Sequence, residues 1–131
     1  MNPENTAKLL TAFPLLYRNL REQHFECRYG WFALVWQVST EIELAAQRGG
    51  IPKTAESWPS VSILKEKFGD LRVQGITCSN DGVSEVIRAL VEKASQQSRV
   101  TCELCGSLGE RFEEGRNVEI LCAVCRKSTN L

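Results

Sequence analysis

The chain has no net charge, with 16 lysines and arginines against 16 aspartates and glutamates in 131 residues, and it has only one histidine. Neutrality is local as well as global: residues 1–60 hold six charges of each sign, residues 61–98 five of each, and residues 99–131 five of each. No segment is a basic module, so the electrostatic footprint on which phosphate-backbone binding depends is missing. Also missing are a P-loop, G-x-G-x-x-G, G-x-S-x-G and H-E-x-x-H, the patterns that carry nucleotide binding, serine hydrolysis and histidine-ligated zinc chemistry. His24, the only imidazole, reads as a surface or helix-end residue. The fragment His24-Phe-Glu26 followed by a distant C-x-x-C matches the zinc-deaminase pattern poorly, because Thr101 stands where that pattern has proline. The first twenty residues mix charged with apolar side chains and form no continuous apolar run. Neither a signal peptide nor a membrane span is therefore expected, and the expected location is a reducing cytoplasm. Repeats, low-complexity tracts and long linkers are missing too.

What the chain does have is six cysteines, four of them in Cys102-Glu-Leu-Cys105 and Cys122-Ala-Val-Cys125, spaced C-x2-C-x16-C-x2-C. This spacing predicts one structural Zn²⁺, since each C-x-x-C can fold into a knuckle that points two thiolates at one ion, and Gly106 suits the tight backbone after Cys105. Four protein ligands leave no coordination position for water or substrate. The even cysteine count keeps a secreted three-disulfide framework as the lesser alternative. A thioredoxin-like redox role is disfavoured because the two pairs would hold the same metal. Cys27 and Cys78 read as small buried residues. With four thiolates around a dication the ribbon carries two formal negative charges, which repels a phosphate backbone.

Residues 6–13 predict a short helix stopped at Pro14, and residues 14–20 a second one with proline in its first turn. From Gly30 onward Trp31, Leu34, Val35, Val38, Ile42, Ala45 and Ala46 recur at helical spacing up to a stop at Gly49-Gly50. Residues 51–59 read as a loop. Residues 83–97 predict a second amphipathic helix with Val83, Val86, Ile87, Leu90, Val91 and Ala94 inward, capped by Asn80 or Asp81.

Between these helices, residues 61–78 read as a β-hairpin turning at Gly69-Asp70. Helical spacing of Val61, Leu64 and Phe68 keeps a helix ending at Gly69 open as the alternative. The hairpin register would set Phe68 opposite Leu71, Lys67 opposite Arg72, Glu66 opposite Val73 and Lys65 opposite Gln74. Leu64, Phe68, Leu71 and Val73 would then share the core face, with Lys65, Lys67 and Arg72 on the other. Like charges directly opposite are unfavourable by up to ~1 kcal/mol, so this cluster invites an anionic contact; a solvated face is the plainer reading.

The run Lys65-Glu-Lys-Phe-Gly-Asp-Leu-Arg72, with Cys27-Arg-Tyr-Gly-Trp-Phe32 upstream and the C-x-x-C-G knuckle downstream, resembles a group of small uncharacterised proteins of bacteria and their phages. That group reads K-E-K-F-G-x-L-R in the hairpin and G-W-[FY] before its first long helix. The resemblance spans residues 25–125 and implies C-terminal zinc knuckles, but no activity. Some members lack a complete second cysteine pair, so the intact Cys122 and Cys125 strengthen the case for zinc in this chain.

Trp31 falls on the apolar stripe of the long helix, whereas Trp36 lies about 140° around it, flanked by Phe32. Trp36 and Phe32 would pack under the loop containing Trp58 or offer an aromatic anchor to a partner. The expected architecture is α+β: two main helices on a small antiparallel hairpin over residues 1–98, then a zinc ribbon over residues 99–131. The ribbon strands would be 109–113 and 118–121, turning at Gly115-Arg116-Asn117. By elimination, the expected function is a non-enzymatic, zinc-stabilised binding protein that recognises another macromolecule, most simply a protein with an acidic surface. An inhibitor, an immunity protein or a phage–host accessory protein would fit, with Lys65, Lys67, Arg72 and Trp36 as contact residues and no role for a membrane. The alternative is a zinc ribbon that binds nucleic acid. An enzyme using zinc would need the open coordination position that four cysteines deny.

Overall fold

The computed structural model describes residues 1–129. Helix α1, Pro3–Ala12, starts where the side chain of Asn2 accepts the Asn5 amide at 2.8 Å and Pro3 fills the first turn. It ends ahead of Pro14, which pushes the preceding residue out of the α region: Phe13 has φ −127° and ψ 57°. The second helix expected over residues 14–20 is replaced by turns. The reason is tertiary, because the backbone of this stretch and the residues after it bonds to residues 61–66. The Val61 amide donates to the Leu16 carbonyl at 2.8 Å, the Arg21 amide to Ser62 at 2.8 Å, and the Glu26 amide to Leu64 at 2.9 Å. An irregular chain thus buries Phe13, Leu16, Tyr17, Leu20 and Phe25 in the main core.

Helix α2, Phe32–Arg48, buries Leu34, Val35, Val38, Ser39, Ile42 and Ala46. Its polar core member, Ser39, bonds the Tyr17 hydroxyl and donates to the Val35 carbonyl at 2.6 Å. The helix stops as expected at Gly49-Gly50, with Gly50 at φ 71° and the Ile51 amide returning to the Ala46 carbonyl at 3.1 Å.

Strands β1, Ile63–Lys67, and β2, Asp70–Gln74, form the expected antiparallel hairpin in a different register. Lys67 faces Asp70, Glu66 faces Leu71, Lys65 faces Arg72 and Leu64 faces Val73. The turn is Phe68-Gly69, at φ 52° and φ 83°, the two positive values of a type I′ turn. It is fixed by the Glu66 carboxylate, which accepts the Gly69 amide at 2.7 Å, and by Gly69 lying against Ile120 and Val118. The shift keeps the strand side chains on their expected faces: Leu64, Leu71 and Val73 are buried, with Lys65, Lys67 and Arg72 on the opposite side. Phe68 leaves the core altogether and is 57% exposed.

Helix α3, Asp81–Ser98, is capped by Asn80, whose side chain accepts the Val83 amide at 3.0 Å. Val83, Ile87 and Ala94 point inward and Leu90 and Val91 are half-buried, but Val86 is exposed, off the edge of the apolar stripe. α3 packs on α2 and on β2, and the Ser98 hydroxyl accepts the Leu71 amide at 2.9 Å. The two main helices are thus stacked on each other and reach β2 through α3, rather than both lying on the hairpin. A second hairpin, β3 Glu110–Glu114 with β4 Asn117–Leu121, and helix α4, Ala123–Thr129, complete an α+β fold that has four α-helices and two small antiparallel hairpins among the described residues. Among the described residues, no helix is long and apolar enough to cross a membrane.

The new register separates two neighbours that sequence reasoning had placed together. Leu71→Ala should destabilise the protein by about 2–5 kcal/mol, whereas Phe68→Ala should cost under about 1 kcal/mol, because an exposed ring leaves no cavity. Urea unfolding of both variants checks this, and equal losses would restore the core position of Phe68.

Candidate metal centre

Three pieces of local structure bring the four cysteines together. In the first knuckle the Gly106 amide returns to the Cys102 carbonyl at 2.9 Å, and Gly106 sits at φ 81°, where glycine is unstrained. The β3–β4 hairpin, turning at Gly115-Arg116 with Glu114 opposite Asn117, reverses the chain and delivers the second pair. That pair is no ribbon knuckle: it lies at the start of α4, with the Cys125 amide donating to the Cys122 sulfur at 3.4 Å and the Arg126 amide to the Cys122 carbonyl at 2.9 Å. All four sulfurs fall within 4.8 Å of one another, and those of Cys105 and Cys122 are 3.6 Å apart. A tetrahedral ion with metal–sulfur bonds of about 2.3 Å would separate its ligands by about 3.8 Å, so the arrangement fits a four-thiolate metal site. His24 is not in this cluster, which consists of the four cysteines alone.

Without a cation the cluster is electrostatically uneven. The Ser107 hydroxyl and amide hold the Cys105 thiol down at about 6, while the neighbouring Cys122 sulfur pushes Cys125 up to about 12. A dication held by all four as thiolates would remove this conflict, with release of the remaining protons.

The mount for the first knuckle comes from the far side of the sequence. Gly30 donates its amide to the Glu103 carbonyl at 2.8 Å, and a Cβ at Gly30 would lie 2.3 Å from the Glu103 carbonyl carbon. Next to it the buried Trp31 donates its indole N–H to the Thr101 carbonyl at 2.8 Å. Glu103 is itself 3% exposed; its amide donates to the Ile120 carbonyl at 2.9 Å, and its carboxylate accepts the Ile120 amide at 2.7 Å. Burial pushes its carboxyl above the usual carboxylate range. Sequence reasoning placed Trp31 on a helix stripe and missed this mount. The only signal for it was a Gly-Trp pair immediately ahead of a helix.

The other candidate residues lie elsewhere. Lys65, Lys67 and Arg72 share one face of the first hairpin, but Asp70 is among them, 3.6 Å from Arg72 and 3.0 Å from Arg99. On the other flank Glu26 pairs with β1 beside Lys65 and is held by Arg21, whose guanidinium pulls the Glu26 carboxyl below its ordinary range. Arg21 and Arg99, both outside the expected cluster, extend the face to five cations against two carboxylates. Trp36 does not lie under the Trp58 loop. It packs edge-on to Phe13 at 5.0 Å and beside Phe32 at 5.8 Å, half-exposed next to α1, while the buried Trp58 donates its indole N–H to Glu43 at 2.7 Å.

Comparison of the chain with protein-family models, with curated proteins and with solved structures finds no match. What the site can do therefore rests on its chemistry: it can hold one ion in a closed sulfur shell. Stripped, reduced protein titrated with Co²⁺ should saturate at about one equivalent, with the intense thiolate-to-cobalt absorption of a tetrahedral sulfur site. Cys122→Ser should weaken both the absorption and the retention of the ion. Saturation without that absorption, or an unchanged Cys122→Ser variant, would contradict the assignment.

Proposed function

We propose that the chain is a non-enzymatic binding protein, held together at its C-terminal end by one structural Zn²⁺, that recognises an acidic surface on another protein. Zinc is the favoured ion because it has no geometric preference of its own and accepts a tetrahedral thiolate shell without redox chemistry. Cys102, Cys105, Cys122 and Cys125 would hold it, and their closed shell gives it a structural role. The observation that carries the binding role is the hairpin face on which Lys65, Lys67, Arg72, Arg21 and Arg99 gather, with Glu26 and Asp70 as the carboxylates in ion-pair contact among the described residues. On a chain of zero net charge, such a face is a local excess that steers an acidic partner and sets its orientation. An inhibitor, an immunity protein or a phage–host accessory protein would use a surface of this kind.

A nucleic-acid partner is the less favoured reading, because two carboxylates interrupt the face and a zinc–thiolate centre would add two formal negative charges to the chain. The test is chemical cross-linking in extracts of the producing cell, comparing the parent with a Lys65→Glu/Lys67→Glu variant. The parent should cross-link to an acidic protein at low salt and lose it at high salt, and the variant should lose it at both while melting within about 2 °C of the parent, since both lysines are partly or fully solvated. Cross-links that the double variant retains would contradict the role of this face. A nuclease-sensitive partner would favour the nucleic-acid reading.

A further inference from the structure

Phe68 sits where local conformation and packing both disfavour a phenylalanine. It occupies the first central position of the β1–β2 turn at φ 52°, a left-handed backbone that suits Asn, Asp or Gly, and it is 57% exposed, so core packing does not offset the strain. The tip that presents it is held from three directions. The Arg111 guanidinium of β3 donates to the Phe68 carbonyl at 2.9 Å, Glu66 accepts the Gly69 amide at 2.7 Å, and Gly69 lies against Ile120 and Val118 of β4. A strained, exposed aromatic on a fixed support has the form of a preorganised anchor.

The surroundings of the ring define what it would meet. Phe68 borders a cleft of about 480 Å³ between the two hairpins, lined also by Val118, Lys67 and Arg116. Two carboxylates line the same cleft, and both are engaged: Glu66 on the Gly69 amide, and Glu119 with Arg28 at 2.7 Å. Lys67 and Arg116 make no ion pair among the described residues. Lys67 Nζ instead lies 6.0 Å from the Phe68 ring centroid.

From this geometry we infer that Phe68 is the anchor of the protein-binding surface, and that its occupant is an acidic peptide segment of the partner. An apolar side chain of that segment would cover the ring and Val118, and flanking carboxylates would pair with Lys67 and Arg116. A nucleic-acid strand fits less well, because one ring offers no succession of stacking platforms and the walls of the cleft carry Glu66 and Glu119. This inference rests on the reading above that the partner is an acidic protein, and it adds the residue at the centre of the contact.

The test pans a random-peptide display library on the zinc-loaded full chain and measures the enriched peptides, as synthetic probes, against the parent and its variants. Enriched peptides should share an apolar or aromatic residue flanked by Asp or Glu. Phe68→Asn should weaken their binding at least tenfold while melting at or above the parent temperature, because Asn-Gly is the preferred type I′ pair. Arg116→Glu should weaken binding as well. If neither variant affects binding but Lys65→Glu/Lys67→Glu abolishes it, the anchor is overturned while the basic-face reading stands. No enrichment, enriched peptides without acidic residues, or a short oligothymidylate bound by the parent and lost in Phe68→Asn would each overturn the proposal.

Discussion

The convergence of four sulfurs on one point is the constraint around which the C-terminal third of the chain is organised. Metal-free, the thiols are unevenly poised, with Ser107 holding Cys105 at about 6 and the Cys122 sulfur driving Cys125 to about 12, and a bound dication would turn that conflict into four metal–sulfur bonds. Closing the cluster sets the spacing of the β3–β4 hairpin, whose Ile120 enters the main core and whose Val118 and Ile120 support the Gly69 turn. The same cluster positions the first knuckle, which docks on Gly30 and on the Trp31 indole ahead of α2. Through these contacts a local coordination problem is coupled to two distant segments of the fold.

The first hairpin is where this architecture meets its surroundings. One face contributes Leu64, Leu71 and Val73 to the core, and the other gathers Lys65, Lys67 and Arg72 with Arg21 and Arg99 from neighbouring segments. Exposed pairs such as Arg99 with Asp70 contribute little to stability, so the arrangement is better understood as setting the local potential than as holding the fold together. The turn at its end carries an aromatic that the fold does not use, in a conformation that the fold has to support.

Features governed by neighbouring residues were legible in the sequence. The cysteine spacing announced a four-sulfur cluster able to hold a metal because the four cysteines sit in two short C-x-x-C intervals. The two long helices announced themselves by apolar periodicity, by Asn80 as a cap and by Gly49-Gly50 as a stop. Features decided at long range were not legible. Residues 14–20 have the pattern of a helix, yet the segment bonds instead to the chain around Val61 and Ser62. Both Phe68-Gly69 and Gly69-Asp70 could have formed the turn, and local preference favours the pair without phenylalanine at positive φ. The choice went the other way under contacts from Ile120, Val118 and Arg111, roughly fifty residues later in the chain. Arg21 and Arg99 joined the basic face, and Gly30 became a knuckle mount, for the same kind of reason.

The most direct test of this account is amide hydrogen exchange of the reduced, full-length protein with zinc bound and again after removal by a chelator. Loss of the ion should abolish protection across residues 101–125 and weaken it at Gly30, whose amide bonds Glu103, and at Gly69 and Leu71 beside the turn, while the middle of α2 and α3 keeps its protection. Unchanged protection of residues 101–125 in metal-free protein would contradict the account, because the C-terminal third would then be holding itself together without the ion.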